Sequence, residues 1–350
     1  MFVSVVLPCR NERESVGFCI KKIKDVFKKE NIQGEIIISD SSEDGSDNIS
    51  KSLGARVVKH DTPGYGFAIR EGVKFAKGDI IIFADADFTY NFEDIPKLIN
   101  ALGNADIVMA NRLKGIVGKG AMPFSHRFIG TPILTFMTNI LFGSKVGDSQ
   151  SGFRALRKET FDNLNLKTNG MEFASEMIIK AAKKNLRIKE IPSNYYKRKG
   201  ESKLSTYNDG MAHIKYILLE ANGLIYFLIG IIMFLVGLIG HIVPLINGTF
   251  STATLKILFP VVGLQILFMG LFAKTYLFVR FEEKNNFLKN FYSIFKLKNA
   301  LLIGLILILI PIIAKIFGNA EMFFDTFLLS TIIGIQILFN SIFLSELSIK

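Results

Sequence analysis

A mostly parallel, doubly wound α/β sheet domain followed by an α-helical transmembrane domain is the architecture this sequence predicts. Three observations predict it. Up to about Ala221, charged and apolar patches alternate in strand-sized and helix-sized pieces; beyond Gly223, long apolar runs take over; and the early strand-like runs repeatedly end on polar, acid-rich turns. The expected division is a sheet domain over 1–205, an amphipathic juxtamembrane connection over 206–222, and a membrane domain of four helices over 223–350.

In the first part, VSVVLP reads as a buried strand, and the opening residues form strand rather than a secretory signal, since no basic region precedes them and Arg10 interrupts the run. ESVGFCIKKIKDVFKK follows with Val16, Ile20, Ile23 and Phe27 at helical spacing. EIIIS is a second strand, SSEDGS a polar turn opening a helix, and Val57–Val58 the start of a short third strand. YGFAIREGVKFA is helical, DIIIFAD is an apolar strand ending on acids, IPKLINAL is a helix, and ADIVMAN is another strand. Strands alternating with helices imply parallel pairing, and ligands of such sheets bind beyond the strand carboxyl ends. Those ends follow Leu7, Ser39, Ala84 and Ala110.

The membrane part holds four apolar stretches, approximately Gly223–Ile246, Leu255–Val279, Ala300–Phe317 and Phe327–Leu344, each near the roughly 17–25 residues a spanning helix needs. Arg280, Lys284, Lys289, Lys296 and Lys298 crowd the connection after the second, whereas the first connection carries no charge. Positive-inside logic therefore expects that middle connection, both termini and the sheet domain in the cytoplasm of a multi-pass cell-membrane protein. His241, near the outer end of the first stretch, is expected to be a bystander. The net charge of +11 fits nucleic acid or an anionic bilayer, and the apolar runs favour the bilayer, so no nucleic-acid partner is expected. Only Cys9 and Cys19 occur, and their placement in strand and helix predicts free thiols in a reducing compartment.

Each strand end carries chemistry: Pro8-Cys9-Arg10-Asn11-Glu12, then Asp40-Ser41-Ser42-Glu43-Asp44-Gly45-Ser46, then Asp85-Ala86-Asp87, then Asn111-Arg112. An isolated acid after a strand is often a helix cap. Four such ends on one sheet edge indicate a ligand site. In an extended Asp85-x-Asp87 the carboxylates share a side, which suits a hard divalent cation; a solvated turn is the alternative for the pair taken alone.

VSVVLPCRNE, SDSSEDGS, DAD, ANR, DSQSGFRAL and GESKL, in this order over residues 1–205, resemble family 2 glycosyltransferases of GT-A-type fold, and among them dolichyl-phosphate mannosyltransferases and related polyprenyl-phosphate glycosyltransferases. The resemblance implies a nucleotide-sugar donor such as GDP-mannose or a UDP-sugar, a dolichyl or polyprenyl phosphate acceptor, and Mg2+ or Mn2+ held by Asp85 and Asp87. It implies donor binding by Pro8, Arg10, Asn11, Glu12 and Asp40, by Asp85, Ala86 and Asp87, and by Arg112. Acceptor-phosphate binding falls to Arg112, Arg127, Arg198 and Lys203, and catalysis to Asp87, Asp148 and Arg127. Three positions depart from the family's usual residues: Ser39 stands where a first Asp is common, Cys9 where Tyr is, and Thr89 where Gln is.

A lipid phosphate is anionic at neutral pH, its second pKa lying near 6 as in phosphomonoesters generally, so cations rather than a general base are what it requires. Asp148 is expected to orient sugar or acceptor, or to act as base for a hydroxyl acceptor. Glu172 and Glu176, one helical turn apart, read as sugar-side acids, as acids supporting the site from behind, or as a solvated face. PFSHRFIGTPILTFMTNILFG is too interrupted to span a bilayer and reads as an interfacial helix bringing Arg127 to the lipid. Two other functions stay open at this level: transfer to a hydroxyl of a glycolipid or polysaccharide, and a non-catalytic membrane scaffold or lipid-translocating module.

Overall fold

The structure, a computed structural model, describes residues 1–200, 206–221, 223–246, 255–280, 288, 290–292, 296–317 and 324–348. It divides into two compact units, Met1–Ile217 and Leu218–Lys350. In the first, the chain runs β1 (Val3–Cys9), α1 (Val16–Lys29), β2 (Gly34–Asp40), α2 (Ser46–Ser52), β3 (Arg56–Lys59), α3 (Tyr65–Lys74), β4 (Ile80–Phe83), α4 (Ile95–Ala101) and β5 (Ile107–Asn111). It continues through α5 (Thr131–Phe142), β6 (Arg154–Arg157), α6 (Lys158–Leu164), α7 (Phe173–Lys183), β7 (Ile188–Pro192) and α8 (Thr206–Glu220).

The seven strands form one sheet in the order β3-β2-β1-β4-β6-β5-β7, parallel except for β6. Alternating side chains of β1 feed two cores: Val3, Val5 and Leu7 pack with α1, while Val6 faces Ile69 and Val73 of α3. Burying each such aliphatic side chain contributes about 1.5–3 kcal/mol. Along α1 the expected stripe is buried at Val16, Ile20 and Ile23, joined by Cys19 and Val26. Cys9 and Cys19 are buried free thiols, and burial pushes Cys9 up to about 12.

Register aligns the strand ends. Cys9 lies opposite Asp40, Val6 opposite Phe83, and Asn111 opposite Pro192, so β1, β2, β4, β5 and β7 present their carboxyl ends to one edge. β6 runs the other way and pairs Arg154 with both Phe83 and Met109. Its amino end therefore sits at that same edge, which carries the preceding residues 148–153 to the ligand side.

In the second unit, α9 (Gly223–Ile246), α10 (Leu255–Arg280), α11 (Leu297–Phe317) and α12 (Phe324–Ser348) match the four apolar stretches. Among the described residues three helices are long and apolar enough to cross a membrane, over Ile225–Val243, Leu255–Val279 and Asp325–Leu347; the apolar piece Leu297–Ile313 is shorter. Glycines let backbones meet: a Cβ on Gly263 would lie 2.7 Å from the Gly230 carbonyl oxygen, and one on Gly334 2.7 Å from that of Gly304. Two polar residues of α12 bond to α10, Gln336 Nε2 donating to the Val261 carbonyl at 3.2 Å and Asn340 Nδ2 to Gln265 Oε1 at 3.2 Å. His241 Nε2 lies 3.0 Å from Thr326 Oγ1.

The expected juxtamembrane connection is α8, and its residues through Ile217 belong to the sheet unit. His213 is buried there, Nδ1 2.8 Å from Ser175 Oγ. Burial, reinforced by the positive Arg154, lowers its pKa from 6.5 to about 4. A base depressed on folding lets the unfolded chain take up the proton first as pH falls. Its stabilisation is thus complete above about pH 6.5 and is lost as pH falls through about 4. On the order of 3 kcal/mol is at stake. The melting temperature of detergent-solubilised wild type should drop more steeply across that window than that of His213→Gln; parallel curves would refute the assignment.

Candidate active site

Two turns build the left wall of the edge. After β1 the chain turns through Asn11 in the left-handed region, φ +54°. The Asn11 amide donates to Ser42 Oγ at 2.7 Å, and Asn11 Oδ1 accepts the Glu43 amide at 2.9 Å. Ser42 Oγ in turn donates to Asp40 Oδ1 at 2.6 Å, while Lys59 Nζ lies 2.8 Å from Asp40 Oδ2. Asp40 is fully buried. It braces the two turns from inside, one oxygen accepting from Ser42 and the other beside Lys59. Pro8 is held in β1 opposite Ser39, and Arg10 is exposed at the edge.

The acidic pair follows β4. Asp85 is half-buried and Asp87 buried, with Ala86 buried between them. Asp87 Oδ1 accepts both the Thr89 amide, 3.1 Å, and the Thr89 hydroxyl, 2.6 Å, a local turn that leaves Oδ2 outward. Thr89 thereby orients Asp87. Burial first, and then the Asp87 charge, push Asp85 up to about 7. Two crowded hard carboxylates of this kind fit a divalent cation, which would relieve their repulsion. Among the described residues no group of three His, Cys, Asp or Glu side chains is arranged to hold an ion.

The loop before β6 closes over this pair. A Cβ at Gly152 would lie 2.8 Å from Tyr65 Oη and 3.3 Å from both Asp85 Oδ1 and Tyr90 Oη, so only glycine fits. Its amide donates to Tyr90 Oη at 2.6 Å. Arg154, wholly buried, donates to three carbonyls, of Ser151, Ala174 and Ser149, at 2.8, 3.0 and 2.9 Å, and fastens the loop from beneath. At the loop's head, Asp148 grips Arg112 in a fork of 2.7 Å (Nε) and 2.8 Å (Nη2), and also accepts the Arg112 and Gln150 amides at 3.2 Å each. The guanidinium lies 5.3 Å from the Tyr195 ring centre. Burial would raise Asp148, but Arg112 overrides it and holds the carboxyl below its ordinary value.

A basic strap covers the other side. The Tyr196 and Lys199 amides donate to the carbonyls of Thr89 (2.8 Å) and Asp87 (3.1 Å). Lys199 Nζ sits 3.7 Å from the Phe18 ring centre and 4.9 Å from that of Phe88. Arg198 is ion-paired with Glu12 and lies 3.5 Å from Asp87 Oδ2.

Residues 4–164 match the family described as glycosyl transferase family 2. The chain is 39% identical over 226 residues to the low-salt glycan biosynthesis hexosyltransferase Agl6 of Haloferax volcanii, covering 64% of this chain and 55% of that protein. It is 28% identical to the dolichyl-phosphate hexose transferase of the same organism, covering 62% of this chain and 92% of the relative. The chain belongs to glycosyltransferase family 2. A crystal structure of a mycobacterial protein shares the fold, with a TM-score of 0.51 and 20% identity over 63% of this chain and 74% of that one.

This glycosyltransferase thus assembles Asp85, Ala86, Asp87, Glu12, Arg112, Asp148 and Arg198 at one edge. Arg198, expected on acceptor phosphate, is ion-paired with Glu12 and lies beside Asp87. Arg127 sits in a single π-turn, His126–Gly130, with its guanidinium 5.2 Å from the Phe128 ring centre, outside the hydrogen-bonded cluster. Lys203 lies outside the described residues. Glu176 is not on a solvated face: fully buried, it accepts the Lys167 and Thr168 amides at 2.8 Å each, as an acid supporting the edge from behind would. Glu172 accepts the Gly170 amide at 3.2 Å, bracing the same loop.

The fork has a stability consequence. Asp148→Ala strands a guanidinium whose side chain is only 11% exposed, and should cost about 3–5 kcal/mol. Thermal unfolding measures it, and a loss no larger than that of an exposed pair, about 1 kcal/mol or less, would contradict the fork.

Proposed function

We propose that this glycosyltransferase moves a monosaccharide, with inversion, from GDP-mannose or a UDP-sugar to a dolichyl or polyprenyl phosphate at the cytoplasmic membrane face. The observation carrying this reading is that both Asp148 oxygens are taken by Arg112 and Gln150. The acid nearest the role of general base has no lone pair to spare for a hydroxyl acceptor, whereas an anionic phosphate calls for the guanidinium that Asp148 aims. The likeness to a dolichyl-phosphate hexose transferase supports the same acceptor class.

Asp85 and Asp87 would hold Mg2+ or Mn2+, which supplies neutralisation of charge on the departing nucleoside diphosphate. Arg198, beside Asp87, places a second cation where that charge develops. Arg112 offers forked contacts to phosphate oxygens from a buried, pre-oriented position. Sugar transfer with oxocarbenium character draws its rate chiefly from such leaving-group stabilisation.

Residues 124–140 support delivery of the acceptor from the bilayer. Phe124, Phe128, Ile133, Phe136 and Ile140 are exposed, whereas Thr131, Thr135 and Thr138 are buried. An exposed face more apolar than the buried one is unfavourable in water and suits the headgroup layer. Arg127 stands at the start of this segment. Four spans, with the Lys- and Arg-rich connection inside, would place the sheet unit and both termini in the cytoplasm.

Incubation of vesicle-reconstituted protein with labelled donor, polyprenyl monophosphate and Mn2+ tests the reading. A mild-acid-labile, solvent-extractable sugar phosphate is expected. An acid-stable glycolipid would select the hydroxyl-acceptor alternative, and no lipid-borne label would reject transfer to lipid. Asp87→Ala should lower turnover by more than a thousandfold, and wild-type turnover should vanish in EDTA; undiminished activity in either case contradicts the metal role. Arg127→Ala should raise KM for the lipid about tenfold with donor KM changed less than twofold. The reverse pattern would move Arg127 to the donor.

A further inference from the structure

Behind the Arg112–Asp148 fork stands an acid with no counterpart among the strand-end motifs. Glu190 lies on β7 opposite Met109 of β5, two residues before the edge where Asn111 and Arg112 leave the sheet. Its side chain is 7% exposed. Oε1 accepts two successive amides, Gly147 at 2.8 Å and Asp148 at 2.9 Å, while Oε2 lies 3.2 Å from Lys114 Nζ. The approach demands glycine: a Cβ at residue 147 would stand 2.7 Å from Asn111 Nδ2 and 3.1 Å from Glu190 Oε2.

We infer that Glu190 is a positioning residue that aims Arg112 by pinning the Gly147–Asp148 backbone. With that backbone fixed, Asp148 presents both oxygens as a fork, and Arg112 is held in one orientation for phosphate instead of searching among rotamers. Charge-assisted bonds from one carboxylate to adjacent amides make this clamp stiff. Lys114 is 59% exposed, and its pairing with Oε2 is incidental to the aim. The oxygen that matters is Oε1. The geometric claim stands on these contacts alone, and only its kinetic consequence rests on the proposed phosphate role of Arg112.

The substitutions separate geometry from charge. Glu190→Gln retains an acceptor oxygen for both amides without the charge; Glu190→Asp retains the charge but withdraws the oxygen by one methylene; Lys114→Ala removes only the ion pair. In full-length, detergent-solubilised protein carrying 15N-arginine, the Arg112 Nε–H signal of the wild type should be protected from solvent exchange. Protection should persist in Glu190→Gln and Lys114→Ala and fall at least tenfold in Glu190→Asp and Glu190→Ala. Should Glu190→Ala fail to fold, Glu190→Asp carries the test. Unchanged protection in Glu190→Asp, or equal loss in Glu190→Gln, overturns the inference. In kinetics with a ten-carbon polyprenyl monophosphate, Glu190→Ala should lower kcat/KM about tenfold in wild type and less than twofold in Arg112→Ala. Losses that multiply in full would show that Glu190 does not act through Arg112. If no lipid product forms even with wild type, the proposed function falls while the exchange measurement still decides the role of Glu190.

Discussion

Two like charges held two residues apart at the end of β4 are the constraint around which the sheet unit is arranged. Burial first, and then the neighbouring Asp87 charge, disfavour ionised Asp85, and its rise to about 7 expresses that cost. The surroundings offset it in different ways on the two sides. Thr89 locks one oxygen of Asp87, Arg198 brings a guanidinium to the other, and the Gly152 loop excludes bulk from Asp85. Such an arrangement is costly as a resting structure. On the proposed reading, a divalent ion and a diphosphate entering together would relieve that cost.

Much of this was legible in the sequence because parallel α/β sheets put function at strand ends. Four apolar runs, ending at Leu7, Ser39, Ala84 and Ala110, located the edge, and register then places Cys9 beside Asp40 and Val6 beside Phe83. The apolar stretches after Gly223 likewise correspond to α9–α12. What stayed hidden lies on the short strands. β6 is four residues long and antiparallel, β7 is half-exposed, and neither shows the continuous apolar run of a central strand. Without them, strand patterning does not place Arg154 and Glu190 on the same edge as Asp85, and Asp148 is reached only through the resemblance carried by DSQSGFRAL.

Side-chain roles were less legible than positions. Asp40 follows a strand as a ligand-binding acid would, yet Ser42 and Lys59 consume it internally. Glu176 sits one turn from Glu172, as paired site acids would, yet it caps backbone amides of residues 167 and 168. Spacing reports which residues can meet, not which hydrogen-bonding groups happen to be left over nearby; buried amides and carbonyls take the first acid or guanidinium within reach. Arg154 shows the converse. A fully buried arginine near an active edge invites a catalytic reading, but its three carbonyl partners make it the fastener of the 148–153 loop.

The contrast between Arg154 and Arg112 explains how one loop serves both folding and chemistry. Arg154 satisfies itself on carbonyls, neutral partners that cannot be exchanged without unfolding the loop, so its position is permanent. Arg112 is paired with a carboxylate that fixes Nε and Nη2 and leaves the Nη1 edge of the planar fork uncommitted to Asp148. In the proposed reaction an incoming phosphate would therefore add to the Arg112 contacts without displacing Asp148. Lysine would substitute poorly at this point: its ammonium keeps donors free of the carboxylate but lacks the planar fork that fixes where they point. On the proposed reading, the loop's outer guanidinium would gain from a ligand what its inner one already obtains from the protein.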